Sequence, residues 1–329
     1  MLIGAGGIGS VLHSRLKELH YEVPYVVRSS GIYPNLSLES KISVREEYPK
    51  YLINVDAVCI TAPPLDDGLV AYHIMKKILE NRMPVVTCEK GALANFFQEL
   101  EGNLDRIGYS ATVGGNSGIL QYAKERMNPK VEGIHAIING TLNYILDELS
   151  QGKDLGKVVE EAKRLGYAEP GPDGPLDVIN KETSHDVAMK IAILFNTLDL
   201  GRIKASDINT VKIDEQDLKI LVSEAKNRRY IVSITRGYEK EDVIAGSVDY
   251  NNGWFISAGF KNPHKNTLFL QLEFNGINNS LLIYERKDGN RDYKISGIVS
   301  GSGAGPIPTT TAMLMDLQKL LKLEHQNAV

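Results

Sequence analysis

Asp186 and Lys190 stand four residues apart in the segment GYAEPGPDGPLDVINKETSHDVAMKIAIL, which runs from Gly166 to Leu194. At that spacing two helical side chains share one face, one turn apart, so a carboxylate and an ammonium can act on the same small molecule. Most such pairs are solvated surface ion pairs that contribute little. Here Lys190 is followed by Ile191, Ala192, Ile193 and Leu194, which predicts a helix entering a core, where an unpaired ammonium is costly. Just upstream, Glu169 and Asp177 fall among Pro170, Gly171, Pro172, Gly174 and Pro175, a stretch that reads as a loop.

A second candidate site lies at the start of the chain. MLIGAGGIGSVLHSRL places Gly4, Gly6 and Gly9 in a GxGxxG pattern after a short apolar strand. Ile8, Val11, Leu12, Leu16 and Leu19 then recur at helical spacing. The first glycine makes the tight turn, the second admits a pyrophosphate, and the third lets helix and sheet pack closely. A helix N-terminus there offers free N–H groups and partial positive charge to phosphates. A lone GxGxxG says little, but a strand before, a helix after and a second strand at the right distance predict a dinucleotide site.

The second strand, Glu22 to Val27, is followed by Arg28-Ser29-Ser30. NAD sites usually carry an acidic residue here for the ribose 2′-hydroxyl, whereas a guanidinium and hydroxyls suit a 2′-phosphate. The expected cofactor is therefore NADP, with NAD possible. The competing reading makes Arg28 an ordinary surface residue at a strand end.

The elements that must position these groups follow from the apolar pattern. Strands are expected at 55–62, ending at Pro63-Pro64, at 84–87, ending at Cys88-Glu89-Lys90, and at 108–113, with helices at 68–81 and 92–101 between them. Such alternation implies βαβ units and a parallel sheet, with Thr61, Lys90, Gly114 and Gly115 at the strand ends where ligands bind. From about residue 131 the pattern changes: strand 133–138, a helix introduced by Asn139-Gly140-Thr141, a helix over 157–165, then strands at 231–236, 242–248, 267–274 and 280–284, with a hairpin turn at 275–279. A glycine-rich turn, Ser300 to Gly305, leads into an amphipathic helix over 309–323. The expected fold is α/β. A Rossmann-type doubly wound parallel sheet over 1–128 is completed by the C-terminal helix of 303–329, and 129–302 form a second α+β domain with an open, partly antiparallel sheet.

Composition narrows the class. A chain of 329 residues with 43% hydrophobic and 24% charged residues is long enough for two ordinary globular domains. Its net charge of -4 has mixed signs and no long basic run, which argues against nucleic acid or an anionic membrane as partner. Cys59 and Cys88 lie in apolar runs and read as buried thiols of a reducing compartment, and the seven histidines show no zinc spacing, so no metal is expected. No apolar stretch reaches membrane-spanning length and no signal peptide is visible, so the expected location is cytoplasmic.

Taken in order, GAGGIG, Thr87-Cys-Glu-Lys90, Ala111-Thr-Val-Gly-Gly115, Asn139-Gly-Thr-Leu-Asn-Tyr144, Gly166-Tyr-Ala-Glu169, Asp177, Asp186 through Lys190, and Gly303-Ala-Gly305 resemble homoserine dehydrogenase in its short form, without a C-terminal regulatory domain. The matching pieces span nearly the whole chain; residues 200–295 carry no motif and read only as strands. The resemblance implies NAD(P)H-dependent, reversible reduction of L-aspartate 4-semialdehyde to L-homoserine, in threonine and methionine biosynthesis. It assigns Lys190 as proton donor and acceptor, Asp186 as the group holding the substrate hydroxyl or a water in line, and Lys90 as a contact to cofactor and substrate. Glu169 would bind the substrate α-ammonium, while Asp177, Thr141 and Tyr167 line the pocket. Gly4, Gly6, Gly7, Ile8, Gly9, Arg28, Ser29, Thr61, Ala62, Lys90, Gly166, Gly303 and Gly305 would contact the cofactor. The second domain would bind substrate and form a homodimer.

The sequence departs from the family in places. Glu89 replaces an asparagine beside Lys90, Asn116 interrupts a glycine run, and the stretch from Asp177 to Asp186 is longer. Ser110 stands where many members place a glutamate associated with a monovalent cation, so that ion is not expected. Two other readings use the same residues: a related amino-acid dehydrogenase, for which Glu169 would serve equally, and a non-catalytic nucleotide-binding regulator, against which Lys90 and Lys190 together argue.

Overall fold

The computed structural model describes residues 1–63, 65–238, 240–287 and 292–327; Pro64, placed by the sequence reading at a strand end, lies outside them. The chain divides into two compact units, 1–112 with 306–329, and 113–305.

In the first unit, short apolar runs form β1 (Leu2–Ile3), β2 (Val26–Arg28), β3 (Gly31–Tyr33), β4 (Val58–Ile60), β5 (Val85–Thr87) and β6 (Ile107–Gly108). They make one sheet in the order β3-β2-β1-β4-β5-β6. All but β3 run parallel, and β3 returns antiparallel to β2. Between strands lie α1 (Gly7–Glu18), α2 (Leu69–Glu80), α3 (Gly91–Asn95) and α4 (Phe97–Leu100). The order reverses between β1 and β4, and in such sheets the ligand crevice opens at the carboxyl ends of those strands. Leu12 and Leu16 of α1 join Leu2, Val26, Val86 and, from the C-terminal helix (Pro306–Asn327), Met313 and Leu317 in one core. Burying each such leucine contributes about 2 kcal/mol.

Two sequence expectations are corrected here. The helix over 92–101 is broken at Phe96. The strand over 108–113 ends at Gly108, because Asp316 Oδ2 accepts hydrogen bonds from Ser110 N at 2.8 Å and Ser110 Oγ at 2.7 Å and draws the chain off the ladder.

The second unit is built on β7 (Val131–Ile137), β8 (Arg229–Thr235), β9 (Val243–Asn251), β10 (Trp254–Lys261), β11 (Asn278–Arg286) and β12 (Tyr293–Ser302), in the order β12-β11-β7-β8-β10-β9. Every pairing is antiparallel, where the sequence predicts an open sheet that is antiparallel in part. Its helices are α5 (Ile119–Arg126), α6 (Gly140–Ser150), α7 (Leu155–Arg164), α8 (Pro175–Lys181), α9 (Val187–Thr197) and α10 (Glu215–Ser223). α8 runs into α9 through a π-helical turn, Glu182–Asp186, so Asp177 lies in the first turn of a helix rather than in a loop.

Residues 267–274 form no strand. Asn262 Oδ1 accepts from His264 N and Asn266 Oδ1 from Leu268 N, starting tight turns. Phe269 and Leu272 then pack over Ile137, Ile231, Leu282 and Tyr284. The strands actually flanking this stretch, β10 and β11, account for the hairpin misplaced at 275–279. No helix among the described residues is long and apolar enough to cross a membrane.

Candidate active site

In the first unit the glycine turn has the shape its spacing predicts. Gly4 takes φ +98°, and a Cβ there would meet Ala62 N at 2.7 Å, while one on Gly9 would lie 2.3 Å from Gly4 O. Thr61, at the end of β4, donates its hydroxyl to Gly4 O at 2.9 Å and ties the turn to the next strand. Gly6 and Gly7, by contrast, face open space, Gly6 is the N-cap residue of α1, and no side chain caps that helix. A cradle of bare backbone at an uncapped N-terminus fits a dinucleotide pyrophosphate.

Arg28 ends β2 half-buried; its Nη2 donates to Leu36 O at 2.5 Å and its Nε is buried with no partner. Ser29 is exposed in the turn to β3, and Ala62 is half-buried beside Thr61. Lys90 is half-buried just before α3. Its neighbour Glu89 is 2% exposed and turns back to accept from Gly91 N at 2.6 Å and Ala92 N at 3.0 Å. Burial pushes this carboxyl above its ordinary value, and the two backbone N–H bonds oppose that rise. The thiols of Cys59 and Cys88 are pushed up by burial to about 11 and about 12, so both stay protonated and inert.

In the second unit Lys190 is 9% exposed, and its Nζ lies 2.6 Å from Asp186 Oδ2. Asn139 fixes this pair from across the fold. Its Oδ1 accepts from Leu142 N at 2.7 Å, capping α6, which leaves Nδ2 to donate to Asp186 Oδ2 at 2.8 Å and to Glu182 Oε2 at 2.6 Å. Glu182, Asp186 and Lys190 thus converge along one helix face. The π-helical turn that carries the first two is a geometry found mostly at functional sites.

The other predicted residues are distributed around this pair. Thr141, in the first turn of α6, donates its hydroxyl to Tyr167 O at 2.7 Å. Tyr167 packs edge-on against Tyr144 with ring centroids 5.2 Å apart, and a Cβ on Gly305, at φ +95°, would crowd its ring at 3.2 Å. Gly166 has φ +73° where α7 ends, with Tyr167 N bonded to Ala162 O, so helix termination explains that glycine. Gly303 is required by Asn279, whose buried amide would lie 2.2 Å from a Cβ there. Glu169 is exposed and paired with Lys181, and Asp177 is exposed in the first turn of α8. Sequence reasoning passed over Asn139 as a bridge and over Glu182; the spacing 182, 186, 190 was the signal available for the latter.

A parallel sheet with an open glycine cradle, and a separate unit carrying a buried lysine–carboxylate pair, define the class of nicotinamide-dinucleotide oxidoreductases. The family model described as homoserine dehydrogenase matches residues 119–318. The homoserine dehydrogenase of Methanocaldococcus jannaschii is 30% identical, with 96% of each chain covered. The crystal structure of homoserine dehydrogenase from Thermoplasma acidophilum superposes with a TM-score of 0.71 at 21% identity over 98% of each chain. A hyperthermophilic archaeal homoserine dehydrogenase in complex with NADPH does so with a TM-score of 0.65 at 20% identity, over 97% of this chain and 96% of that one. The chain belongs to the homoserine dehydrogenase family.

Proposed function

We propose that the protein interconverts L-aspartate 4-semialdehyde and L-homoserine, with Lys190 moving the proton at the reacting oxygen. The observation that carries this reading is the Lys190–Asp186 contact of 2.6 Å, nearly buried, in a chain of this family. When bound, NAD(P)H supplies the hydride. An aldehyde oxygen that accepts hydride gains negative charge and needs a proton, which the Lys190 ammonium can donate and, in reverse, accept. Asp186 keeps the ammonium aimed, and Asn139 keeps Asp186 from turning away. Thr141 and Tyr167, locked to each other, form a wall of the pocket.

Lys90 serves cofactor and substrate from the end of β5. Its neighbour Glu89 turns its carboxylate back onto the start of α3. NADP is the preferred cofactor, with Arg28 and Ser29 at the end of β2 for the 2′-phosphate. The enzyme works in the cytoplasm as a homodimer through the second unit's sheet. Its outer strands expose Val248 and Tyr250 on β9 and Tyr293, Ile295 and Ile298 on β12. Light scattering on the purified protein tests the dimer. The function itself is tested by following reduced nicotinamide absorbance with L-homoserine and either NADP or NAD. Turnover supports the reading, and cofactor binding without turnover removes it.

A further inference from the structure

Three buried side chains around the glycine-rich turn 300–305 are short of partners. Among the described residues seven buried side-chain polar atoms make no hydrogen bond, and four of them belong to Ser117, Asn143 and Asn279. Asn143 spends its Nδ2 on Asn278 O at 3.0 Å, which leaves its Oδ1 over. Asn279 is the extreme case: it is fully buried on β11, and neither its Oδ1 nor its Nδ2 has a partner. Buried amides are nearly always paired, so one that pairs with nothing calls for a cause.

What Asn279 faces is backbone. It stands opposite Gly301 in the ladder between β11 and β12, and a Cβ on Gly303 would lie 2.2 Å from its amide. A Cβ on Gly301 would meet Ser117 Cα at 2.9 Å, one on Gly115 would meet Gly303 O at 2.9 Å, and one on Gly140 would meet Ala304 Cβ at 2.9 Å. The turn is therefore packed through bare backbone, and a small shift carries its peptide groups past the amide with no large side chain to displace. Gly303 N, donating to Ile277 O at 2.9 Å, anchors the start of that segment.

We propose that Asn279 is a positioning residue for the nicotinamide cofactor. Its carboxamide hydrogen-bonds the backbone of the 303–305 turn when that turn settles against bound NAD(P)H, so binding gains partners that the unliganded protein lacks. This rests on the reading that sets Gly303 and Gly305 at the cofactor.

Asn279→Leu replaces the amide with an apolar group of similar size. Removing an unpaired buried amide should leave the urea midpoint of the cofactor-free protein unchanged or raise it. The Kd for NADPH, by fluorescence titration, should rise roughly thirtyfold, the worth of two neutral hydrogen bonds. An unchanged Kd overturns the proposal whatever the midpoint does, and a lowered midpoint with it is the pattern of a residue that only supports the sheet. If the leucine variant does not fold, amide hydrogen exchange in the wild type decides. Saturating NADPH should slow exchange over residues 303–305, and exchange there that NADPH leaves unaltered overturns the proposal. A wild type that binds no NADPH removes the cofactor reading together with it.

Discussion

Asn139 is the residue whose loss should be felt most widely, because one side chain serves both helix and site. Asn139→Ala removes the cap on Leu142 N, at about 1 kcal/mol. It also removes two hydrogen bonds to carboxylates, each worth about 1.5 kcal/mol at the low end for charged acceptors, since both groups are half-buried and water can replace part of what is lost. The total is about 4 kcal/mol. Asn139→Asp separates the two roles. It retains the capping oxygen but replaces the donor with a third carboxylate beside Glu182 and Asp186. The helix should then survive while turnover falls at least as far as in the alanine variant. Repulsion among three carboxylates raises their proton affinity, so part of that loss should be recovered as pH falls toward 5. Urea denaturation and steady-state rates on both variants decide the matter. An Asn139→Asp enzyme with wild-type kcat and KM would refute the reasoning, leaving Asn139 as a cap alone.

Lys190→Ala should lower kcat about a hundredfold or more with cofactor affinity nearly unchanged, measured by initial rates and fluorescence titration. Arg28→Ala should weaken NADP(H) much more than NAD(H); equal weakening of both would remove the 2′-phosphate contact. His135 predicts a pH dependence of stability. Burial, with the Lys261 charge nearby, pulls its imidazole from 6.5 down to about 3. Between those values the unfolded chain binds a proton that the folded protein refuses. The stability due to neutral His135 is therefore complete above pH 6.5 and is lost as pH falls toward 3, at up to about 1.4 kcal/mol per unit. Urea midpoints of His135→Phe at pH 7.5, 6 and 5 should show a shallower decline than the wild type.

What the sequence revealed depended on whether the cause was local. The glycine turn, α1 and α6 with its Asn139 cap follow from steric and capping rules acting over a few residues, and they stand where the motifs place them. The Lys190–Asp186 contact was legible because four-residue spacing fixes it within one helix. By contrast, Leu268, Leu270, Leu272 and Phe274 alternate as in a strand, yet Phe269 and Leu272 are buried by lying across the sheet rather than pairing in it. β12 escaped notice because, as an edge strand, it exposes its large residues Tyr293, Ile295 and Ile298 and follows no inward-outward alternation. The end of β6 is set by Asp316, two hundred residues away. Glu182 reaches the site only through a π-helical turn and a partner, Asn139, on a distant helix cap. Neither cause leaves a periodic trace.

The central claim is that this chain oxidises L-homoserine with Lys190 as the proton-transfer group. Its most direct test is the initial rate of reduced nicotinamide formation from L-homoserine for the wild type and Lys190→Ala, each saturated with NADP. The account predicts steady turnover by the wild type and a rate at least about a hundredfold lower in the variant. Equal rates would remove Lys190 from the chemistry, and a wild type that binds NADP yet never turns over L-homoserine would contradict the function itself.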